Sequence, residues 1–248
     1  MAAAIKLHRH IGRRRAGRFL AEGPNLVEAA LRRDLVVEVF VTEAAADRFA
    51  SLLADATVHV ITEKAAKALS DTVTPVGLVA VCETPSMSLA DVLAGAPRLI
   101  AVAAEISEPG NAGTLIRIAD AMGADAVVLA GNSVDPYNGK CLRASAGSIF
   151  TVPVVAETDS AGAVSTLADA GLRVLATTVD GETSLDEADL SGPTAWLFGP
   201  ESHGLPAELA AKAAHRIRIP MGGGAESLNV AAAAAICLYQ SARAHRGQ

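Results

Sequence analysis

The sequence predicts an α/β fold in which a parallel sheet is covered by helices on both sides. Three observations predict it. Short β-branched runs alternate with longer helical segments along most of the chain, which is the pattern of βαβ units. Most strand-like runs in the second half are apolar throughout, leaving no solvent face, as strands of a parallel sheet require. Apolar residues make up 51% of the 248 residues and aromatics only 3%, so the core must be built from Val, Leu, Ile and Ala.

In order, GPNLVEAALRR (23–33) reads as a helix opened by a glycine-proline start, and LVVEVFVT (35–42) as a strand. AAADRFASLLAD (44–55) reads as a helix, TVHVI (57–61) as a strand, EKAAKALS (63–70) as a helix and GLVAVC (77–82) as a strand. These form one compact α/β unit ending near Cys82. ETPSMSLADVLAGAPR (83–98) breaks the rhythm with two prolines and small polar residues, which places a boundary there. The expected domains are 1–88 and 97–248. Strands follow at 99–105, 126–130, 152–155, 172–178, 195–198 and 216–219, with helical segments between them.

Bulk properties exclude several classes. Cys82, Cys141 and Cys237 lie far apart with no CxxC, which argues against a disulfide framework and a zinc site, so no metal is expected. No run reaches the roughly 18 apolar residues of a membrane helix, and Met1–Arg18 has no apolar stretch ahead of a cleavage site. A cytoplasmic protein with buried, reduced thiols is expected. Net charge is −6, yet the basic residues of 1–33, among them Lys6, Arg13, Arg14, Arg15, Arg18, Arg32 and Arg33, face Glu22 and Glu28 alone. Such asymmetry fits either a polyanion-binding arm or a solvated tail.

Three polar loops each follow a strand. In EISEPGNAGTLIRIADAMG (105–123) a Pro-Gly turn leads to Asn111 at the expected N-cap, with Arg117 two turns into a helix and Gly113 admitting a close neighbour. A capped helix with one exposed arginine explains the same residues. LFGPESHGL (197–205) sets two glycines around Glu201. It lacks the G-x-G-x-x-G of dinucleotide sites, and no G-x-x-x-x-G-K-[ST] occurs anywhere. A tight turn with an exposed acid is the simpler reading, and His203 reads as a surface residue. In RIRIPMGGGAESLNVAAAAA (216–235) Pro220 ends a strand and three glycines bend the chain. Ser227–Asn229 then falls on the first turn of an alanine-rich helix that must pack closely. A glycine hinge accounts for the backbone but not for Asn229, a poor helix former inside a first turn.

Together and in this order the loops resemble the SpoU family of RNA ribose 2′-O-methyltransferases. Its first motif, N-x-G-x(3)-R, matches Asn111, Gly113 and Arg117. Its second, F-G-x-E-x-x-G, matches Phe198–Gly204, and its third, I-P-M-x-G-x(3)-S-L-N-V, matches Ile219–Val230. FLAEGPNLVEAAL (19–31) and LSDTVTPVGLVAV (69–81) resemble the family's substrate-binding domain, so the resemblance spans nearly the whole chain.

The resemblance implies a C-terminal α/β methyltransferase domain tied in a trefoil knot, preceded by a smaller domain similar to ribosomal protein L30e that grips RNA. It implies S-adenosylmethionine as methyl donor, a homodimer, no DNA or membrane partner, and chemistry that needs no metal because the sulfonium is already activated. Arg117 matches the catalytic arginine, with Asn111 and Glu201 orienting it and the ribose, and Ser227 and Asn229 holding one edge of the site. Gly199, Ile219 and Leu228 match cofactor-binding positions; Met221 and Thr177 join them. Arg13, Arg14, Arg15 and Arg18 would meet RNA phosphates. The two-domain layout favours ribosomal RNA. A transfer-RNA enzyme, or a non-catalytic RNA-binding or ribosome-assembly protein, are the alternatives.

Overall fold

A computed structural model describes residues 1–200 and 202–247. The chain begins with two short helices, α1 (Ala2–Ile5) and α2 (His10–Ala16), joined by a 3-10 turn at Lys6–His8. Then come β1 (Arg18–Glu22), α3 (Pro24–Leu31), β2 (Val36–Val41), α4 (Glu43–Arg48), β3 (Val58–Val60), α5 (Glu63–Leu69) and β4 (Leu78–Glu83). These strands form a four-stranded sheet in the order β1-β4-β2-β3, with only β2 and β3 parallel.

The second half holds α6 (Leu89–Ala94), β5 (Leu99–Ala104), α7 (Pro109–Ala121), β6 (Ala126–Ala130), α8 (Gly139–Ser145), β7 (Val154–Glu157) and α9 (Ser160–Asp169). It continues through β8 (Arg173–Thr177), β9 (Thr183–Ser184), β10 (Thr194–Phe198), α10 (Ala207–Ala210), β11 (His215–Arg218) and α11 (Val230–Arg246). Seven strands run parallel in the order β7-β6-β5-β10-β8-β11-β9.

Period-two alternation divides this sheet cleanly. Leu99, Ala101 and Ala103 of β5, with Trp196 and Phe198 of β10, face a core shared with α7, α8 and α11. Ile100, Val102 and Ala104, with Ala195 and Leu197, face the other side, where α6, α9 and α10 pack. Both faces are covered, and this is why the strands could be apolar throughout. The first core continues into the front half through Phe19, Ala21, Val27 and Val39. Phe19 of β1 lies 4.7 Å from the Tyr137 ring and 6.0 Å from Phe150, so the two sheets are joined by packed rings.

Some elements differ from the sequence reading. The helix expected over 44–55 is regular only to Arg48; beyond Phe49 the chain tightens into i→i+3 turns that bring Leu53 into the core. The start of the chain is no tail. Ala4 and Leu7 are buried against Leu20, Phe40 and Leu69, forming a third core on the outer face of the small sheet. All three cysteines are buried and free. Burial pushes the Cys82 and Cys141 thiols up to about 12 and raises Cys237 further.

Candidate active site

In an open parallel sheet, loops at the carboxyl ends of the strands make the ligand site. All three polar loops leave from such ends: one from β5, one from β10 and one from β11. The first enters α7. Pro109 occupies its first turn, and a proline at that position fixes the preceding residue as the cap. The N-cap is therefore Glu108, not Asn111 as expected. Its carboxylate accepts from the Gly110 amide at 3.2 Å and from Lys140 Nζ at 2.5 Å, and these bonds hold it below the usual carboxylate range. Asn111 sits two residues inside the helix.

Gly113 admits a close neighbour, which is α8. A Cβ there would fall on the Cys141 carbonyl oxygen, 2.7 Å from Ala144 Cβ and 3.0 Å from the Ser145 amide nitrogen. Arg117, one turn further on, is exposed and makes no hydrogen bond or ion pair among the described residues. Its guanidinium is held in place only by its helix and stays available to an incoming group.

The third loop corrects a second expectation and explains Asn229. The helix starts at Val230, so Asn229 is the N-cap rather than a first-turn residue. Its Oδ1 accepts from the amides of Ala231 at 3.0 Å and Ala232 at 3.4 Å. Its Nδ2 donates to Asn111 Oδ1 at 3.2 Å. One asparagine thus caps α11 and ties the third motif to the first, across 118 residues of sequence. The alanine run makes this possible: Ala231 and Ala234 are buried where α11 lies against α7 and the sheet. Trp196 Nε1 donates to Ser241 Oγ at 2.8 Å, fixing the far end of the helix on β10.

Between Ile219 and Asn229 the chain is open. Ile219 packs against the core and Leu228 is half-buried, whereas Met221–Ser227 is exposed. Gly222, Gly223 and Gly224 have nothing within 4 Å of a Cβ position, and none is in the left-handed region. The chain does bend at Gly223 and Gly224, as expected, but its own contacts do not require glycine at all three positions.

The second loop does require its glycines. A Cβ on Gly199 would lie 2.6 Å from the Leu205 amide nitrogen, and Gly204 has φ +65°. The Gly204 amide donates back to the Pro200 carbonyl at 2.9 Å, closing the turn. Glu201 lies outside the described residues. His203 is exposed and hydrogen-bonded to Ser202.

Beside these loops, the end of β8 offers a residue that sequence reading missed. Thr177 Oγ1 donates to the Leu197 carbonyl at 3.0 Å, so its hydroxyl is spent on the sheet. The Thr178 hydroxyl is buried and has no hydrogen-bond partner. A buried, unpaired hydroxyl is costly, and an ordered water or a ligand group would complete it. The run Leu-Ala-Thr-Thr contains both residues, but the sequence does not say which of them the neighbouring strand consumes.

Of the four arginines expected to meet RNA phosphates, Arg14 and Arg15 are exposed on α2 and Arg18 is half-buried at the start of β1. Arg13 is corrected. It is 7% exposed and its guanidinium is committed inside the protein, to Asp135 and two backbone carbonyls, which removes it from any phosphate-binding surface. Arg9, also exposed, extends the basic face.

A model of the SpoU rRNA Methylase family matches residues 98–239, which include every one of these loops. The chain belongs to the SpoU family. An MRM3-like substrate binding domain matches residues 3–80, the small sheet and its helices. The protein is 36% identical to the 23S rRNA (guanosine(2553)-2′-O)-methyltransferase RlmP of Bacillus subtilis over 94% of this chain and 92% of that one. Among solved structures it resembles the SpoU methyltransferase AviRb from Streptomyces viridochromogenes in complex with AdoMet, with TM-score 0.86 and 28% identity. That match covers 97% of this chain and 95% of AviRb. It also resembles the TrmH/SpoU tRNA modifying enzyme of A. aeolicus, with TM-score 0.52 and 26% identity. This match covers 60% of the present chain and 76% of the other. RlmP, named for ribosomal RNA, thus matches along both halves, and this tRNA-modifying relative along little more than one.

Proposed function

We propose that this protein transfers a methyl group from S-adenosylmethionine to a ribose 2′-hydroxyl of 23S ribosomal RNA. One observation carries the reading beyond family membership: the Asn229–Asn111 hydrogen bond brings the first and third motifs to one edge of the sheet. The full-length match to RlmP and the substrate-binding domain favour ribosomal RNA over transfer RNA.

The residues present fit the methyl donor. The unpaired Thr178 hydroxyl, the tight Gly199 turn and the open space around Gly222–Gly224 lie on loops from adjacent strands, β8, β10 and β11. Backbone groups at Gly199, Ile219 and Leu228, with Met221 and Thr178, would hold the donor; Thr177 supports them by anchoring β8. When bound, S-adenosylmethionine supplies a methyl on a positively charged sulfur. Arg117 is always protonated and cannot act as a base. It lowers the cost of negative charge on the ribose oxygen while the hydroxyl proton leaves to an RNA phosphate or water. Asn111, held by Asn229, and Glu201 position the sugar and Arg117. Ser227, exposed at the end of the glycine loop, would hold one edge of the site. Fixing the two reactants at near-attack distance contributes several kcal/mol of the acceleration.

Arg14, Arg15 and Arg18 contact phosphates, giving affinity that falls steeply with salt. The boundary between RNA-gripping and methyl-transferring domains is placed within 83–98, ahead of α6, which packs on the large sheet. A trefoil knot formed by the 219–229 segment belongs to the same proposal, and membership of the SpoU family supports it. Ala232, Ile236 and Tyr239 form an exposed stripe along α11, which supports a homodimer joined through that helix. We place the protein in the cytoplasm, where ribosomal RNA is made; no helix among the described residues is long and apolar enough to cross a membrane. Incubation with S-adenosylmethionine and unmodified 23S ribosomal RNA tests the reading. Methyl incorporated into transfer RNA instead favours the alternative target, and none into either RNA refutes the activity.

A further inference from the structure

The Arg13 guanidinium makes more polar contacts than any exposed arginine of the chain needs. Its Nε and Nη2 both reach Asp135 Oδ2, at 2.7 and 2.6 Å, and Nη1 donates to the Leu7 and His8 carbonyls at 2.8 and 3.0 Å. Asp135 is 122 residues away, in the loop between β6 and α8. Its other oxygen accepts from the Tyr137 amide at 2.9 Å, and its carbonyl accepts from the Asn138 amide at 3.0 Å. Asn138 then caps α8 through the Lys140 amide at 2.9 Å.

That loop touches the catalytic helix by two routes. Val134 donates to the Ile106 carbonyl at 2.9 Å, and Ser133 Oγ accepts from the Ile106 amide at 3.0 Å, just ahead of the Glu108 cap of α7. Through α8, the loop also sets the backbone on which Gly113 rests. The one charged group of the substrate-binding half that is nearly buried among the described residues is therefore bonded to the loop that orients α7.

We infer that Arg13 is a positioning residue for methyl transfer. Through Asp135 it holds the substrate-binding domain and α7 in one register, so that RNA gripped by the first is presented at the correct distance to Arg117 on the second. This rests on the reading of the protein as an RNA methyltransferase. It differs from a phosphate contact, because the charge is spent internally, and from simple packing, because it predicts a loss in turnover rather than in folding. A misplacement of about 1 Å at a reacting centre costs up to roughly 100-fold in rate.

The test uses the full chain, 23S ribosomal RNA made in vitro and S-adenosylmethionine, with wild type as reference. Arg13→Lys keeps the charge but gathers its donors on one nitrogen, which cannot span Asp135 and both carbonyls as the guanidinium fork does; Asp135→Asn is isosteric and keeps its acceptor for Tyr137. Each is expected to lower kcat by about 10- to 100-fold at saturating RNA and donor. The Kd for S-adenosylmethionine should stay within about twofold, and the double variant should be no slower than the worse single one. Unchanged kcat in Asp135→Asn overturns the inference. So does tighter RNA binding by Asp135→Asn with normal turnover, the signature of a phosphate-binding Arg13 relieved of a competing acid. Loss of folding in both variants also overturns it, since the role is then structural; should only Arg13→Lys fail to fold, Asp135→Asn decides. If wild type itself methylates no RNA, the proposed function has failed, and that result is distinct from all of these.

Discussion

Gly113→Ala is the sharpest probe of how α7 is held. In an exposed helix, replacing glycine by alanine stabilises by about 0.8–1 kcal/mol. Here the new methyl would stand 2.7 Å from Ala144 Cβ and 3.0 Å from the Ser145 amide nitrogen, and would meet the Cys141 carbonyl oxygen still more closely. Carbon atoms rest at about 3.5–4.0 Å, so α7 and α8 must part by nearly 1 Å. Two of the three obstructing groups are backbone and cannot rotate away. Overpacking of this kind costs about 1–3 kcal/mol, so the clash outweighs the propensity gain and the net change is destabilising by up to about 2 kcal/mol. At about 2–4 °C per kcal/mol for a chain of this size, the thermal midpoint should fall by a few degrees. The same shift displaces Arg117, one turn along α7, and turnover should drop by roughly tenfold or more. Urea denaturation and single-turnover methylation measure the two effects separately. A variant more stable than wild type, with unchanged turnover, would refute the α7–α8 packing described above.

Other outcomes follow from the same geometry. Asn229→Asp keeps the capping oxygen but replaces the Nδ2 donor by a second acceptor facing Asn111 Oδ1. Stability should stay within about 0.5 kcal/mol, while methylation falls at least tenfold; Asn229→Ala should lose both, with about 1 kcal/mol of stability. Thr178→Val removes the unpaired hydroxyl. Calorimetry should show unchanged or raised folding stability together with weaker S-adenosylmethionine binding, because the buried polar group costs the empty fold and completes the bound one. With Cys82 and Cys141 raised to about 12 by burial, and Cys237 higher, the thiolate fraction at pH 8 is minute. A thiol reagent should label none of the three until the protein unfolds; quick labelling of the native protein would contradict their burial.

What could be read from the sequence follows physical lines. The strands of the large sheet were legible because both of their faces are covered, leaving uninterrupted apolar runs such as Leu99–Ala104. β1 was not read as a strand: Arg18 and Glu22 at its ends are polar and only Phe19–Ala21 is buried, too short a run to stand out. α8 escaped for a similar reason, its seven residues mixing glycine, lysine, cysteine and arginine. Caps were misplaced because helix starts are fixed by backbone geometry. Pro109 dictated the cap at Glu108, and Asn229 caps α11 from just outside the helix. The three motifs showed which residues belong together, but not that Asn111 and Asn229 bond directly. Arg13 was indistinguishable from Arg14 and Arg15 in a basic run, since its partner lies in the other half of the chain. Thr178 became visible only when the neighbouring strand was seen to consume Thr177.

The central claim is that one pocket, built from the loops after β5, β10 and β11, serves both a methyl donor and a ribose. Mapping of 2′-O-methyl positions on unmodified 23S ribosomal RNA, after incubation with S-adenosylmethionine and either the wild-type protein or Arg117→Ala, tests it most directly. The account predicts a single newly methylated ribose with wild type and its near absence with the variant. Methylation on a base, no methylation at all, or an equal yield from Arg117→Ala would contradict it.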